Sequence, residues 1–295
     1  MRWTSIKARL DTLIFQISRK EKGFILCFLL IAICIGCIGF ILSTADPCNV
    51  YSESKLTQTE ITAHRGYSSI APENTLPAFL LAVDSKADYV ELDVQKTKDG
   101  VPIVFHDRTL KRMTGINKRI NELTYEELLQ IDLGSGYEER FFGTSIPTLE
   151  EVLQACQGNV KFNVELKSPD EELVQLVLNL LEEYQLIDES VITSTDYQAL
   201  KWVKEYRPSM ITGYIISIVY GDLEPLECAD VLSIKSKYIN AQLVKQIHQS
   251  GKLLYAWTVN DADEIKRLLY LGVDNIITDE IEKVIEVKQS LLEEV

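Results

Sequence analysis

Residues 89–107 have the sequence YVELDVQKTKDGVPIVFHD, and this stretch decides the fold. In its first part, Tyr89–Val94, acidic and apolar residues alternate, which is typical of a β-strand. The Asp-Gly pair that follows predicts a tight hairpin. The connection is too short for a parallel crossover, which needs about a dozen residues. We therefore expect Val101–His106 to run antiparallel to the first strand and to bring His106 back beside Asp93.

Outside this hairpin, short apolar runs alternate with amphipathic helical patterns along the chain. The runs predict eight strands: Ile61–His64, Tyr89–Val94, Val160–Leu166, Val191–Ser194, Ile211–Ile216, Asp230–Ile234, Leu253–Val259 and Asn275–Thr278. The helical patterns fall at Leu76–Ser85, Leu149–Ala155, Asp170–Tyr184, Tyr197–Tyr206, Asn240–Gln249 and Asp261–Leu271. This alternation predicts an α/β protein, a closed TIM-type (β/α)8 barrel. The hairpin and a short insertion, residues 108–147, follow the second strand, and Thr124 caps a short helix in the insertion.

The N-terminal region carries a different signal. Residues 23–42, GFILCFLLIAICIGCIGFIL, form an uncharged run of 20 residues, long enough to cross a bilayer as a helix. The run is longer than the apolar part of a cleaved signal peptide, and the residues after it make a poor cleavage site. Six of the eight charged residues in 1–42 are basic, and all six precede the run. The positive-inside rule therefore predicts a cytoplasmic segment 1–22 and a large domain outside the cell, with a cytoplasmic domain as the alternative.

The remaining chain is one domain by length. Of 295 residues, roughly 250 follow the apolar run, which is the size of a single barrel. We expect residues 43–59 to be a polar tether and residues 60–295 to form the barrel. Beyond residue 42 the chain has 24 basic and 42 acidic residues, a net charge of −18. Such an acidic surface argues against nucleic acid as a partner, so a phosphate-bearing ligand has to be attracted locally.

Unusual polar residues collect where the predicted strands end, which is where barrel active sites lie. Glu91 and Asp93 are two residues apart and share one face of a strand, as do Glu165 and Lys167. Converging carboxylates repel each other and suit a Mg²⁺ or Ca²⁺ ion. The alternative is a structural salt-bridge network that includes Lys167 and Arg65. Taken together, the set favours a metal site.

Two of the three histidines, His64 and His106, fall at the same predicted rim. Beside carboxylates, such a pair is typical of a general acid and a general base. Arg65 and Lys167 supply fixed positive charge for a phosphate. Trp257 is expected either to form an apolar wall for a small ligand or to pack in the core. His248 lies in a helical pattern and is predicted to be a surface residue.

Several motifs resemble the glycerophosphodiester phosphodiesterase family, over about residues 60–285. They are His64-Arg65-Gly66, Pro72-Glu73-Asn74-Thr75, Glu91-Leu92-Asp93-Val94, His106-Asp107, Val164-Glu165-Leu166-Lys167, Trp257-Thr258-Val259-Asn260 and Thr278-Asp279. The resemblance implies a phosphoric diester hydrolase that releases glycerol 3-phosphate and an alcohol. It also implies roles for individual residues: Glu91, Asp93 and Glu165 as metal ligands, His64 and His106 as the acid/base pair, Arg65, Lys167 and Asn74 near the phosphate, and Trp257 near the glycerol.

Alternatives remain open at this point. The attacking oxygen can come from water or from the neighbouring glycerol hydroxyl, which would give a cyclic phosphate. A lysophospholipase D-type activity on lysophospholipids is compatible with the same scaffold, since a membrane anchor places the domain close to lipid. A non-catalytic binder of glycerophosphate polymers is a further alternative, but no predicted ligand or histidine is missing.

Overall fold

The computed structural model describes residues 53–218 and 226–294. The predicted cytoplasmic segment, the predicted membrane helix and residues 43–52 of the predicted tether lie outside the described residues. Within the part that is described, no helix combines the length and the apolar character needed to cross a membrane.

Nine strands form one sheet. Their bounds are β1 Glu60–Ala63, β2 Tyr89–Lys96, β3 Pro102–Val104, β4 Lys161–Leu166, β5 Ser190–Ser194, β6 Ile211–Ile216, β7 Val231–Lys235, β8 Leu253–Trp257 and β9 Asn275–Thr278. Strand β1 pairs in parallel with both β2 and β9, so eight parallel strands close into a barrel. Strand β3 pairs antiparallel with β2, as the Asp-Gly turn predicts. The predicted (β/α)8 barrel with a hairpin is therefore confirmed.

The described helices surround this barrel or belong to the insertion. They are α1 Glu53–Gln58, α2 Leu76–Asp84, α3 Lys111–Thr114, α4 Tyr125–Leu128, α5 Leu149–Cys156, α6 Glu171–Glu183, α7 Tyr197–Tyr206, α8 Ala241–Gln249, α9 Ala262–Leu271 and α10 Ile281–Glu293. Thr124 caps α4 by accepting a hydrogen bond from the Glu127 N–H, as the sequence predicts. Six helices fall within a residue or two of their predicted bounds.

The prediction of a tether up to residue 59 is wrong for its last part. Residues 53–58 form helix α1, and Leu56 on that helix is buried in the main core. Helix α10 was also not predicted. Its Ile281, Val284 and Leu291 are buried, and it packs against α1 and β1. Helix α1 precedes the first strand, so the strand–helix alternation carries no signal for it, whereas α10 follows β9 and completes the last strand–helix unit.

Strand β2 shows how the barrel positions polar groups. All of its residues except Lys96 are buried, which is expected of a parallel strand that is covered on both faces. Val90, Leu92 and Val94 belong to the large core shared with the helices, while Tyr89 packs with Tyr255 in a separate cluster. Because side chains alternate along a strand, Glu91 and Asp93 share the face of Tyr89 and point into the barrel.

The insertion after β3 has a core of its own. Its buried members are Ile103, Phe105, Leu110, Ile120, Leu123, Leu128, Leu133 and Ile146. The backbone N–H of Phe105 donates to the carbonyl of Asp93 at 2.8 Å, which fixes the next residue, His106, above strand β2. The hairpin thus places the second histidine beside the carboxylates.

Candidate active site

Three carboxylates from two neighbouring strands meet inside the barrel. Glu91 and Asp93 lie on β2, and Glu165 is the β4 residue paired with Asp93 in the parallel register. Oxygen atoms of the three side chains all lie within 4.8 Å of one another. The structure thus assembles the three residues that the sequence predicts as metal ligands.

Burial and mutual repulsion dominate the electrostatics of this cluster. Burial raises the pKa of Glu91 well above its usual range, and the charges of Asp93 and Glu165 raise it further. The pKa of Glu165 rises to about 7, first through burial and then through the charge on Asp93. Burial also acts to raise the pKa of Asp93, but the positive charges of Lys167 and Arg65 outweigh it and lower that pKa to about 2. Three carboxylates thus face two cations, and a divalent cation would offset the remaining repulsion.

The donor set fits a hard divalent ion. Oδ1 of Asp93 is buried and accepts no hydrogen bond, although Nζ of Lys167 lies 3.1 Å away. Carboxylate oxygens are the ligands that Mg²⁺ and Ca²⁺ prefer in proteins. Glu91, Asp93 and Glu165 can therefore hold such an ion between them.

Arg65 and Lys167 supply positive charge beside the cluster. The Arg65 Nη1 donates to Glu73 Oε1 at 2.8 Å, and its Nε lies 3.3 Å from Asp93 Oδ2. The Lys167 Nζ donates to Glu165 Oε1 at 2.7 Å. Both side chains are mostly buried, which restricts them to few conformations. They are fixed cations at the edge of the site.

The loop after β1 adopts a constrained backbone around these contacts. Arg65 and Gly66 have φ angles of 59° and 76°, in the left-handed region. A Cβ atom at Gly66 would lie 2.6 Å from the carbonyl carbon of Ala78, so only glycine fits. This conformation turns the Arg65 N–H toward Glu91, whose Oε2 accepts it at 2.8 Å. The strain of a left-handed arginine is therefore linked to the orientation of a predicted metal ligand.

The first histidine is fixed by a carboxylate that directly follows the last strand of the barrel. The His64 Nδ1 lies 2.7 Å from Asp279 Oδ1. Asp279 also accepts hydrogen bonds from the Ser68 hydroxyl and from the Asn260 amide, at 2.8 and 2.6 Å. These contacts lower the pKa of Asp279 to about 2, although burial alone would raise it. Asp279 thus stays ionised and holds the imidazole ring.

The second histidine has an equivalent partner. The His106 Nδ1 lies 2.6 Å from Asp107 Oδ1. Arg112 of α3 then donates from Nε to Asp107 Oδ2 at 2.6 Å, and from Nη1 and Nη2 to both oxygens of Glu73 at 2.9 and 2.6 Å. Glu73 is also the partner of Arg65. A single arginine from the insertion therefore connects the His106 pair to the Arg65 pair.

A cavity of about 230 Å³ lies over these groups. Its walls include His64, Arg65, Glu91, His106, Asn163, Glu165, Lys167, Thr193, Ser233 and Trp257. The indole Nε1 of Trp257 donates to the Ser233 carbonyl at 3.0 Å, which orients the ring at the cavity wall. The position of Trp257 matches both expectations, because it lines the cavity and also packs, partly buried, against the cluster that contains Tyr255.

Asn74 contacts the carboxylate cluster directly. Its side chain is buried and does not line the cavity. The Nδ2 atom donates to Asp93 Oδ2 at 2.7 Å, and Oδ1 accepts from the Asp93 N–H at 3.2 Å. Both polar ends of the amide are thus used by Asp93. Asn74 thus orients a carboxylate of the cluster, and its place near the phosphate stays a prediction.

Residues 64–283 match the Glycerophosphoryl diester phosphodiesterase family. The chain belongs to this family. The protein is similar to a glycerophosphodiester phosphodiesterase of Caldanaerobacter subterraneus subsp. tengcongensis, with 35% identity over 77% of this chain and 97% of the relative. It is also similar, at 24% identity over 74% of this chain and 81% of the relative, to a human lysophospholipase D.

A solved structure agrees with the family assignment. An Oleispira antarctica phosphodiesterase, in complex with the product sn-glycerol-3-phosphate, superposes with a TM-score of 0.74 at 30% identity, over 79% of this chain and 98% of that one. Membership in the glycerophosphoryl diester phosphodiesterase family makes the protein a phosphoric diester hydrolase.

Eight of the predicted site residues of this phosphodiesterase line the cavity or belong to the carboxylate cluster. They are His64, Arg65, Glu91, Asp93, His106, Glu165, Lys167 and Trp257. Three residues that orient these side chains, Asp107, Arg112 and Asp279, were not predicted from the sequence. Asp279 and Asp107 were visible in the motifs, and their positions next to strand ends and histidines were the available signal. Arg112 had no comparable signal, because one of its partners, Glu73, lies 39 residues away in the chain.

Proposed function

We propose that this phosphodiesterase hydrolyses glycerophosphodiesters to glycerol 3-phosphate and an alcohol, with a divalent metal ion and two histidines as general acid and base. One observation carries the proposal. His64 and His106, each bonded through Nδ1 to a carboxylate, line the same cavity as Glu91 and Glu165 of the metal-site candidate. The glycerol-3-phosphate complex of the Oleispira antarctica relative supports the product.

The cluster and its cations act on the charge of the substrate. A divalent ion held by Glu91, Asp93 and Glu165 would supply Lewis-acid stabilisation of the phosphoryl oxygens. Arg65 and Lys167 add positive charge that is already oriented before the substrate binds. Such preorganised charge stabilises the transition state more than the ground state, because negative charge grows on those oxygens.

The histidines transfer the protons. In a neutral imidazole whose Nδ1–H is donated to a carboxylate, Nε2 is the basic atom that remains free to exchange a proton. One of the two rings accepts the proton of the attacking oxygen, and the other donates a proton to the oxygen of the leaving alcohol. Burial lowers the pKa of His106, so this ring is mainly neutral at pH 7 in the absence of a ligand.

The test is release of glycerol 3-phosphate from glycerophosphocholine by the full chain. We expect release that depends on added Mg²⁺ or Ca²⁺, stops with EDTA, and falls by about 10²- to 10⁴-fold in His64→Ala and in His106→Ala. The matched control is His248→Gln, since His248 bonds Asp274 and does not line the cavity. Near-native turnover in both alanine variants would contradict the acid/base assignment, and full activity in EDTA would contradict the metal.

The human relative named lysophospholipase D favours a second candidate, cleavage of lysophospholipids at the same site. Assaying lysophosphatidylcholine beside glycerophosphocholine separates the two, because the compounds differ only by an acyl chain. A higher kcat/KM for the acylated compound would favour the second candidate. Binding of a glycerophosphate polymer without any cleavage would leave the non-catalytic alternative instead.

The N-terminal region supports a proposal about location. The uncharged run at residues 23–42 and the six basic residues before it support a single-pass membrane protein with an extracellular catalytic domain. Protease treatment of intact cells tests the orientation. Digestion of the domain without lysis is expected, whereas protection until lysis would place the domain on the cytoplasmic side. Release of the whole chain by carbonate washing would exclude the span.

A further inference from the structure

A second groove of about 350 Å³ opens beside the catalytic cavity, and its lining is cationic. Lys96, Arg108, Arg119 and Lys167 line it, with Asp170 as the one carboxylate among its lining residues in the part of the chain that is described. This contrasts with the chain as a whole, whose net charge is −14. A local concentration of positive charge raises the local concentration of anions, even on an acidic protein.

The two arginines of the groove are available for a ligand. Asp170 is paired with Lys96 at 2.9 Å, and Lys167 is engaged by Glu165 and Asp93. By contrast, neither Arg108 nor Arg119 forms an ion pair within residues 53–218 and 226–294. Guanidinium groups bind phosphate oxygens in pairs of hydrogen bonds, which suits them to a phosphate group.

Backbone hydrogen bonds order the segment that carries these two exposed arginines. The Ile120 N–H donates to the Arg108 carbonyl at 3.1 Å, and the Leu110 N–H donates to the Lys118 carbonyl at 3.0 Å. Leu110 and Ile120 are both buried in the core of the insertion. Both arginines therefore project from a short paired segment with a packed base, rather than from an unsupported loop.

The groove adjoins the catalytic cavity on the side of the second histidine. Lys167 lines both spaces. Gln95, which also lines the groove, donates from Nε2 to the carbonyls of Phe105 and Asp107 at 2.6 and 2.8 Å, on either side of His106. A ligand whose scissile phosphate lies in the cavity can therefore extend past Lys167 toward the arginines.

On the other side, the cavity adjoins a space lined by His64, Arg65 and three carboxylates, Glu73, Asp279 and Glu280. An anionic group is disfavoured there by comparison. From these observations we propose that the groove binds a second phosphate, carried by the alcohol part of the substrate, through Arg108 and Arg119. The preferred substrate class is thus a glycerophosphodiester of a phosphorylated alcohol. This inference rests on the proposed function, because it assumes that the scissile phosphate occupies the cavity.

The kinetic test compares glycerophosphoglycerol with the same compound bearing a terminal phosphate. For the full chain we expect kcat/KM to be about tenfold higher for the phosphorylated compound, as a charge-assisted contact of this kind allows. In the double variant Arg108→Ala/Arg119→Ala that ratio is expected to fall to about one. The control is Lys111→Ala/Lys118→Ala, which removes the same charge from the same insertion at residues outside the groove. An unchanged ratio in the arginine variant would overturn the proposal and leave the hydrolysis itself intact.

A binding measurement separates this proposal from the proposed function. Calorimetry with His106→Ala is expected to show tighter binding of the phosphorylated compound, and this gain is expected to disappear when the two arginines are also replaced. If the wild-type chain cleaves neither compound but still binds the phosphorylated one more tightly, the proposed function is wrong and the proposal for the groove is supported. If the gain is absent, the groove proposal fails. Glycerophosphoinositol phosphate, used as a third compound, distinguishes a phosphorylated ring alcohol from a glycerophosphate chain as the preferred source of the second phosphate.

Discussion

The Nδ1 atom of His64 lies 2.7 Å from Oδ1 of Asp279, although 215 residues separate them in the chain. Strands β1 and β9 are neighbours in the closed barrel, and the residue after each strand takes part in this contact. The contact selects the ring tautomer and the ring orientation. In the proposed mechanism Asp279 therefore acts as a positioning residue, together with Asp107 at the other histidine.

Replacement of Asp279 by asparagine is expected to lower kcat with little change in KM. The amide keeps the shape of the side chain but removes the charge that favours the Nδ1–H tautomer of His64. We expect a loss of between about 10-fold and 10⁴-fold, the upper limit being the usual contribution of general acid–base catalysis. Steady-state kinetics with glycerophosphocholine measure it. Ser68→Ala, which removes a weaker partner of the same carboxylate, is the control and is expected to lose less; equal losses would contradict the specific role of Asp279.

Arg112 is expected to affect the chemical step although it does not line the catalytic cavity. Its guanidinium joins Asp107 to Glu73, so Arg112→Ala frees both the His106 partner and the Arg65 partner. We expect kcat to fall about 10-fold or more, with partial recovery in Arg112→Lys, which keeps the charge but cannot bridge three oxygens. A native kcat in the alanine variant would show that the bridge is dispensable. Arg140→Ala, on the same insertion but paired with Glu138, is the control.

Divalent metal is expected to raise the thermal stability of the chain. At a hundred times the dissociation constant, an ion that binds only the folded state adds about 2.7 kcal/mol. For a domain of this size, that corresponds to a rise in Tm of about 5 to 10 °C. Scanning calorimetry with and without Mg²⁺ or Ca²⁺ measures it.

The matched variants make this measurement specific. Glu91→Gln is expected to abolish the metal response and to raise the Tm of the metal-free chain, because it removes a buried carboxylate whose pKa is raised by burial and by its acidic neighbours. Glu126→Gln, on the exposed side of α4, is expected to retain the full response. An equal Tm shift in both variants would place the binding elsewhere on this acidic protein.

The lowered pKa of Asp279 also predicts that the stability of the fold depends on pH. Burial raises its pKa, but the hydrogen bond and charge of His64 outweigh this effect and lower the pKa from 3.8 to about 2. Because the folded-state pKa lies below the unfolded one, the carboxylate stabilises the fold above the unfolded value, and this stabilisation is lost as pH falls toward 2. The free energy of unfolding of the wild type minus that of Asp279→Asn should therefore shrink between about pH 4 and pH 2. Urea unfolding across this range measures it, and a difference that stays constant would contradict the assigned ionisation.

The amino-acid sequence alone determined the barrel, the hairpin and most of the site. A strand repeats every two residues, so the spacing of Glu91 and Asp93 places both on one face without any knowledge of the fold. The turn after β2 is equally local, and it indicated the return of His106 toward Asp93. Strands that alternate with helices in eight repeats indicated a closed barrel, because this is the pattern of the TIM-type fold.

Tertiary structure alone decided which partners hold these groups. Asn74 turned inward to bond Asp93, since a buried carboxylate oxygen needs a donor and the left-handed turn at residue 74 brings the amide within reach. Helix α1 is too short to be stable by itself, so the sequence around Leu56 does not predict it; its packing against α10 stabilises it. Arg112 and Asp279 act through contacts across 39 and 215 residues. No local spacing encodes such distances; the closure of the barrel and the packing of the insertion create them.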